Sequence, residues 1–267
     1  MTLIDIGANL THSSYDADRD AVLARAAAQG VCQMIVTGSD AQESASAIAL
    51  AHAHPCRLFA TVGLHPHHAA HFDYVLSSQL TELAQDPAVV AIGECGLDYH
   101  RNFSPREAQL VAFRAQLELA VVSGKPVFLH LRDAQEDFMG VMREYASRIS
   151  RGVAHCFTGQ LQDMQQCLDL GLYIGITGWI CDERRGAHLL EAVRYIPSDR
   201  LMIETDAPYL LPRTLRPRPA SRRNEPGYLP EVLRVIAHAR GESVEECAAL
   251  TTANARRFFS LPDIKLQ

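Results

Sequence analysis

The sequence has 267 residues, with 25 Lys and Arg against 31 Asp and Glu for a net charge of -6, and 48% of its residues are hydrophobic. These figures suit one sizeable core and exclude collagenous, low-complexity and disordered chains. They also exclude a protein that coats nucleic acid by bulk positive charge, so any contact with phosphate has to come from a local basic patch or from bound metal ions.

Short apolar or β-branched runs recur at Leu3 to Ile6, Val31 to Thr37, Leu58 to Val62, Val89 to Ile92, Val127 to Leu129, Gly152 to Ala154, Leu172 to Gly175 and Leu201 to Ile203. Each reads as a strand. Between them, Arg19 to Gln29 closed by Gly30, Gln42 to His52, Gln79 to Gln85, and Pro105 to Val122 closed by Gly124 have helical spacing. Ser104-Pro105-Arg106-Glu107 predicts a capping box at the head of the last of these. Pro212 to Pro226, rich in Pro and Arg, reads as a long loop, and the chain from Leu229 onward as closing helices. Strand then helix, repeated about eight times with no linker between halves, predicts an α/β fold, a single (β/α)8 TIM barrel over residues 1–267. A doubly wound open sheet is the alternative, although no G-x-G-x-x-G follows the first strand. The seven cysteines include no C-x-x-C pair, the N-terminus lacks a signal pattern, and no window approaches about 18 uncharged apolar residues. A soluble, cytoplasmic protein with no membrane partner is expected.

Barrel enzymes carry their chemistry at the C-terminal ends of the strands. Here those positions hold Asp5 with Asn9, Thr37, His65, Glu94, His130, His155, Thr177, and Glu204 with Asp206. Imidazoles and carboxylates converging on one rim suit a divalent metal ion. Glu94 follows an apolar strand, where an unpaired carboxylate would cost several kcal/mol. Asp206 stands in the same position after the eighth strand, with Glu204 as its competitor. His155 taken alone reads equally well as a core residue. His52 and His54 precede a strand and read as surface; His67 and His68 read as loop surface or substrate-facing. Cys95 and Cys156 alternate away from Glu94 and His155 and read as inert thiols rather than nucleophiles. Arg213, Arg216, Arg218, Arg222 and Arg223, with Arg184 and Arg185, form a basic patch suited to phosphate, or else a solvated loop paired with acids such as Glu225. Trp179, Phe157 and Tyr209 are placed to stack bases or to pack beneath the rim.

Five strings resemble the TatD family of metal-dependent deoxyribonucleases: Gly63-Leu64-His65-Pro66-His67, Ile92 to Asp98, His130 with Arg132 and Asp133, His155 to Gly159, and Glu204 to Leu211. Arg222 to Pro226 adds a sixth. Gly178 to Gly186 narrows the resemblance to the bacterial branch from which the family takes its name. The resemblance implies a barrel of the metal-dependent hydrolase type, with Glu94, His130, His155 and Asp206 as metal ligands. Many members begin with D-x-H-x-H, whereas this chain has Asp5-Ile6-Gly7-Ala8-Asn9. A site with fewer imidazoles favours Mg²⁺, with Mn²⁺ or Zn²⁺ as alternatives, and leaves one or two ions open. In the implied roles Glu94 is the central ligand, Asp206 a ligand or general base, and His65 a phosphate or leaving-group contact, while Arg132, Trp179, Arg222 and Arg223 bind substrate. The implied activity is 3′ to 5′ exonuclease action on single-stranded or frayed DNA, with RNA left open, by a monomer working in DNA repair or turnover. Three other readings share the same residues: an amidohydrolase-type enzyme, an aminoacyl-tRNA deacylase, and a weakly catalytic nucleic-acid-binding protein.

Overall fold

The computed structural model describes residues 1–263. Eight strands form: β1 (Leu3–Ala8), β2 (Val31–Val36), β3 (Leu58–Val62), β4 (Val89–Asp98), β5 (Val127–Arg132), β6 (Gly152–Ala154), β7 (Tyr173–Ile176) and β8 (Leu201–Ile203). They lie in one sheet in chain order, and the strand pairs run parallel. Each of the first seven is followed by one helix, α1 (Arg19–Ala28), α2 (Ala41–Ala53), α3 (Tyr74–Leu83), α4 (Arg106–Ser123), α5 (Gln135–Tyr145), α6 (Leu161–Asp169) and α7 (Ala187–Ala192). Two more, α8 (Leu229–Arg240) and α9 (Val244–Phe259), close the chain. This is the predicted (β/α)8 barrel. Among the described residues no helix is long and apolar enough to cross a membrane.

The chain divides into two compact units that interleave in sequence. One comprises Met1–Val36, Cys156–Met164 and the chain from Ile174 onward. Every residue of its β1 is buried, as expected of a strand covered on both faces. The end of β1 meets the segment after β8 through a bridge between Ala8 and Ala207, with Asn9 N–H donating to Ala207 O at 2.7 Å and Asp206 N–H to Gly7 O at 2.8 Å. From α9, the Asn254 amide donates to the Ser198 and Leu201 carbonyls, and the Thr252 hydroxyl to Thr2 O, all at 2.8 Å.

The other unit comprises Thr37–His155 and Gln165–Tyr173. Here β4 and β5 run past their predicted ends, to Asp98 and Arg132, so Glu94 and His130 stand within strands and not just beyond them. Glycine makes this close pairing feasible: Gly96 has φ +146°, and a Cβ there would lie 2.0 Å from His130 O. Helix α3 begins five residues before the predicted Gln79. The Asp73 carboxylate caps it by accepting from Leu76 N–H at 2.8 Å, and its first turn exposes Tyr74 and Val75, which breaks the apolar spacing. The predicted capping box at Ser104 does not form. Pro105 is the cap residue of α4, while the buried Ser104 hydroxyl donates to His67 O at 2.8 Å and accepts from Ala70 N–H at 3.0 Å, tying down the turn Pro66–His71. A capping box does form at Ser243 and Glu246, at the start of α9.

Candidate metal centre

Within the second unit, β4 carries Glu94, β5 carries His130, and His65 and His155 follow β3 and β6. Glu94 Oε1 lies 2.7 Å from His130 Nδ1, 3.2 Å from His155 Nε2 and 3.3 Å from His65 Nε2. Two ligands about 2.1 Å from one ion, at right-angle to tetrahedral positions, are about 3.0–3.4 Å apart. The His155 and His65 separations fall in this range, that of His130 at 2.7 Å is shorter and has to open slightly around an ion, and the donor chemistry and the burial of the carboxylate fit a divalent cation. Burial opposes the charge on Glu94, but His65, His155 and the hydrogen bonds with His130 hold its carboxyl well below the usual range. Burial would also lower His130, yet its bonds to Asp98 and Glu94 prevail and raise it.

The imidazoles are not equivalent. His65 Nδ1 accepts the backbone N–H of His67 at 3.1 Å, so its proton resides on Nε2, the nitrogen facing Glu94. Burial pushes His65 down to about 4, which leaves a neutral ring at pH 7. His65, His130 and Glu94 cluster tightly enough for an ion, but His65 turns an N–H inward where a ligand needs a lone pair.

Asp98, quoted within a motif but assigned no role from sequence, is 3% exposed. Its Oδ2 lies 2.9 Å from His67 Nε2 and 3.2 Å from His130 Nε2, and its Oδ1 accepts Arg101 N–H at 2.7 Å. Burial opposes its charge, and the bonds from His130, His67 and Arg101 more than offset that, holding it below the carboxylate range. In the extended β4, Glu94, Gly96 and Asp98 alternate and share a pleat side. His67, read as loop surface or substrate-facing, is half-buried against Asp98 with its ring edge-on to His65 at 4.2 Å.

In the first unit, Glu204 is fully buried and accepts Cys156 N–H at 2.5 Å. Asp206 is partly exposed, with φ +52°, and its Oδ1 accepts the Asn9 side-chain amide at 3.1 Å. The amide nitrogen that stands in place of a family imidazole therefore addresses a carboxylate. Asp5 lies within β1 and not at its end. Fully buried, it accepts Thr205 N–H at 2.9 Å and Gly7 N–H at 3.3 Å through Oδ1, and the Thr205 hydroxyl at 2.5 Å through Oδ2. Burial pushes its pKa up to about 7 against those bonds.

The expected substrate residues fall in both units, Arg132 in the second and Trp179, Arg222 and Arg223 in the first. Arg132 ends β5, half-buried, with Asp133 at 4.0 Å. Trp179, the second residue of the turn Gly178–Cys181, is half-buried, its indole N–H donating to Arg185 O at 3.2 Å and the Arg185 guanidinium lying 4.4 Å from the ring centre. Arg222 is exposed. Arg223 forks onto Asp18 at 2.7 and 2.8 Å, donates to Ser14 O and lies over the Tyr15 ring. Arg213 pairs with Glu183 at 3.0 Å. His52 is a surface residue paired with Asp86 at 2.9 Å, and Cys95 is buried with its thiol pushed up by burial.

The sequence matches the family described as TatD related DNase over residues 4–260. A protein from Erwinia tasmaniensis named 3′-5′ ssDNA/RNA exonuclease TatD is 51% identical over 259 residues, covering 97% of this chain and 100% of that one. Its namesake from Klebsiella pneumoniae is 50% identical, covering 97% and 98%. The crystal structure of YJJV, a TatD homolog from Escherichia coli K12, has a TM-score of 0.88 at 30% identity, covering 97% of this chain and 98% of that one. Agreement of this extent, end to end in both sequence and fold, shows that the chain belongs to the family of TatD-related DNases.

Proposed function

We propose that the protein is a metal-dependent 3′ to 5′ exonuclease that removes nucleotides from single-stranded or frayed DNA ends and from RNA. The observation that carries the reading is the approach of His130 Nδ1, His155 Nε2 and His65 Nε2 to one buried carboxylate oxygen of Glu94, at 2.7, 3.2 and 3.3 Å. Relatives that bear the exonuclease name and match nearly the whole chain support the choice of substrate.

Glu94, His130 and His155 are the proposed ligands, joined by Asp206 on the strength of the sequence, where Asp206 is also the proposed base for the attacking water. Hard oxygen donors beside only two ligating imidazoles favour Mg²⁺, then Mn²⁺, over Zn²⁺. A bound ion would acidify a water molecule and offset charge on the phosphate oxygens. His65, neutral with its proton on Nε2, donates a hydrogen bond to a phosphate oxygen and orients the scissile group. Burial around Glu94 keeps bulk water from competing for these donors. Arg132 and Arg222 contact backbone phosphates, Arg223 holds the loop on Asp18 so that Arg222 is presented, and Trp179 stacks a base against the face opposite Arg185. The enzyme works in the cytoplasm as a monomer in DNA repair or turnover.

The test is digestion of 5′-labelled single-stranded DNA and RNA by chelator-treated protein resupplied with Mg²⁺, Mn²⁺ or Zn²⁺. A ladder shortening from the 3′ end, present with Mg²⁺ or Mn²⁺ and absent in chelator, is expected. Intact strands with all three ions, or full cleavage in chelator, would overturn the reading.

A further inference from the structure

We propose that Asp98 is the positioning residue of the metal centre: its Oδ2 accepts the Nε2–H of His130 and so keeps the Nδ1 lone pair of that ring directed at the side where Glu94 lies. The inference rests on the reading of Glu94, His130 and His155 as ligands. An imidazole coordinates through a lone pair, so a ligating His130 has one nitrogen for the ion and one for its proton. Nδ1, 2.7 Å from Glu94 Oε1, is the nitrogen on the ligand side. Two acceptor atoms do not rest at that distance without a cation between them, whether a proton or a metal ion. Nε2, on the far edge, has Asp98 Oδ2 at 3.2 Å.

Asp98 is itself fixed more firmly than a capping residue requires. Oδ1 takes Arg101 N–H, and the Gln109 side chain clamps the backbone from both directions, accepting Asp98 N–H at 2.8 Å and donating to Asp98 O at 3.1 Å. Oδ2 is left to imidazoles alone: His67 at 2.9 Å reaches it from the half-buried side, and His130 from within. The pleat links the two carboxylates, since Glu94 and Asp98 point to the same side of β4 with only Gly96 between them. There the register pairs Gly96 with His130, and the missing Cβ allows β5 to approach. One imidazole is thus gripped at both edges by carboxylates from a single strand, an arrangement that sets ring orientation and proton position together.

The decisive variant is Asp98→Asn, which preserves shape and the Arg101 bond but places an NH₂ opposite His130 Nε2. That donor draws the Nε2 lone pair and moves the ring proton to Nδ1, where the ion has to bind. Titration of the full chain with Mn²⁺, followed by electron paramagnetic resonance of the free ion, should show affinity 10- to 100-fold weaker than wild type. At saturating metal, kcat should fall while KM for an oligonucleotide stays near its wild-type value. Wild-type affinity in a folded Asp98→Asn protein would overturn the inference. A second measurement needs no variant: in ¹⁵N-histidine spectra of the Mg²⁺-loaded wild type, His130 should show a protonated Nε2, and a protonated Nδ1 would be equally fatal. Mn²⁺ binding that is lost in Glu94→Gln yet unchanged in Asp98→Asn removes only the role of Asp98. A wild type that binds no Mn²⁺ removes the ligand reading and this inference with it.

Discussion

Asp5 offers a sharp quantitative test, because its carboxylate is fully buried and its pKa is pushed from an ordinary 3.8 up to about 7. In the folded protein Asp5 therefore holds a proton between roughly pH 4 and pH 7, where the unfolded chain has released it. Stability from this residue is fully present below roughly pH 4 and is lost as pH rises through about 7. At about 1.4 kcal/mol per pH unit, the window amounts to about 4 kcal/mol. Asp5→Asn removes the titration with little change of shape: the amide oxygen still accepts from Thr205 and Gly7 N–H, and the NH₂ faces the Thr205 hydroxyl. Urea unfolding of both proteins from pH 4 to pH 8, in chelator so that no ion alters the local field, gives the comparison. The variant should gain on wild type by about 4 kcal/mol across the window and run parallel to it above about pH 7.5. Subtraction cancels the other carboxylates, including Glu94 and Asp98, whose lowered values act in the opposite sense at lower pH. Parallel curves throughout would refute the reasoning, because they would mean that Asp5 is ionised in the folded state at little cost.

Gly96→Ala should destabilise the fold by about 2–4 kcal/mol through backbone strain and collision with His130 O, and weaken Mn²⁺ binding too; Gly124→Ala, with positive φ but open space, should cost about 1 kcal/mol and leave the metal alone. Denaturant melts together with metal titrations distinguish the pair. Glu94→Gln should reduce metal-dependent turnover about a thousandfold or more, with an unchanged circular dichroism spectrum, and retained turnover would remove Glu94 from the ligand set. Arg222→Ala should flatten the salt dependence of oligonucleotide affinity by up to about 0.7 in slope without moving the melting temperature. Arg223→Ala, which breaks the fork onto Asp18, should lower the melting temperature as well.

Strand positions were legible because each is a buried apolar run, and a run needs no partner to be recognised. Seven of the eight predicted strands begin at the residue where the structure begins them, the exception being β7, which starts at Tyr173 in place of Leu172. Strand ends were less legible. The extension of β4 to Asp98 depends on Gly93 and Gly96 adopting φ +137° and +146° against β5, a property of the pairing that local composition does not carry. Glu94, His130, His155 and His65 could be found because polar, metal-competent side chains that follow an apolar run stand out against it. Asp98 and His67 act on the far edge of His130, and which edge of a ring faces which carboxylate is decided only in three dimensions. The box predicted at Ser104 failed for a related reason: its hydroxyl had a better partner at His67 O, outside the local window.

The bond between the end of β1 and the residues after β8 has a consequence for synthesis. Leu3–Ala8 is synthesised about two hundred residues ahead of its partner at Ala207 and of the Thr205 donors for Asp5. At roughly 5–20 residues per second, that edge waits on the order of ten seconds or more for its partner. Throughout that interval Gly7 O and Asn9 N–H, at the end of the strand, and the Asp5 carboxylate lack the partners they have in the fold. A chain cut short before Leu201 leaves those groups without these partners permanently.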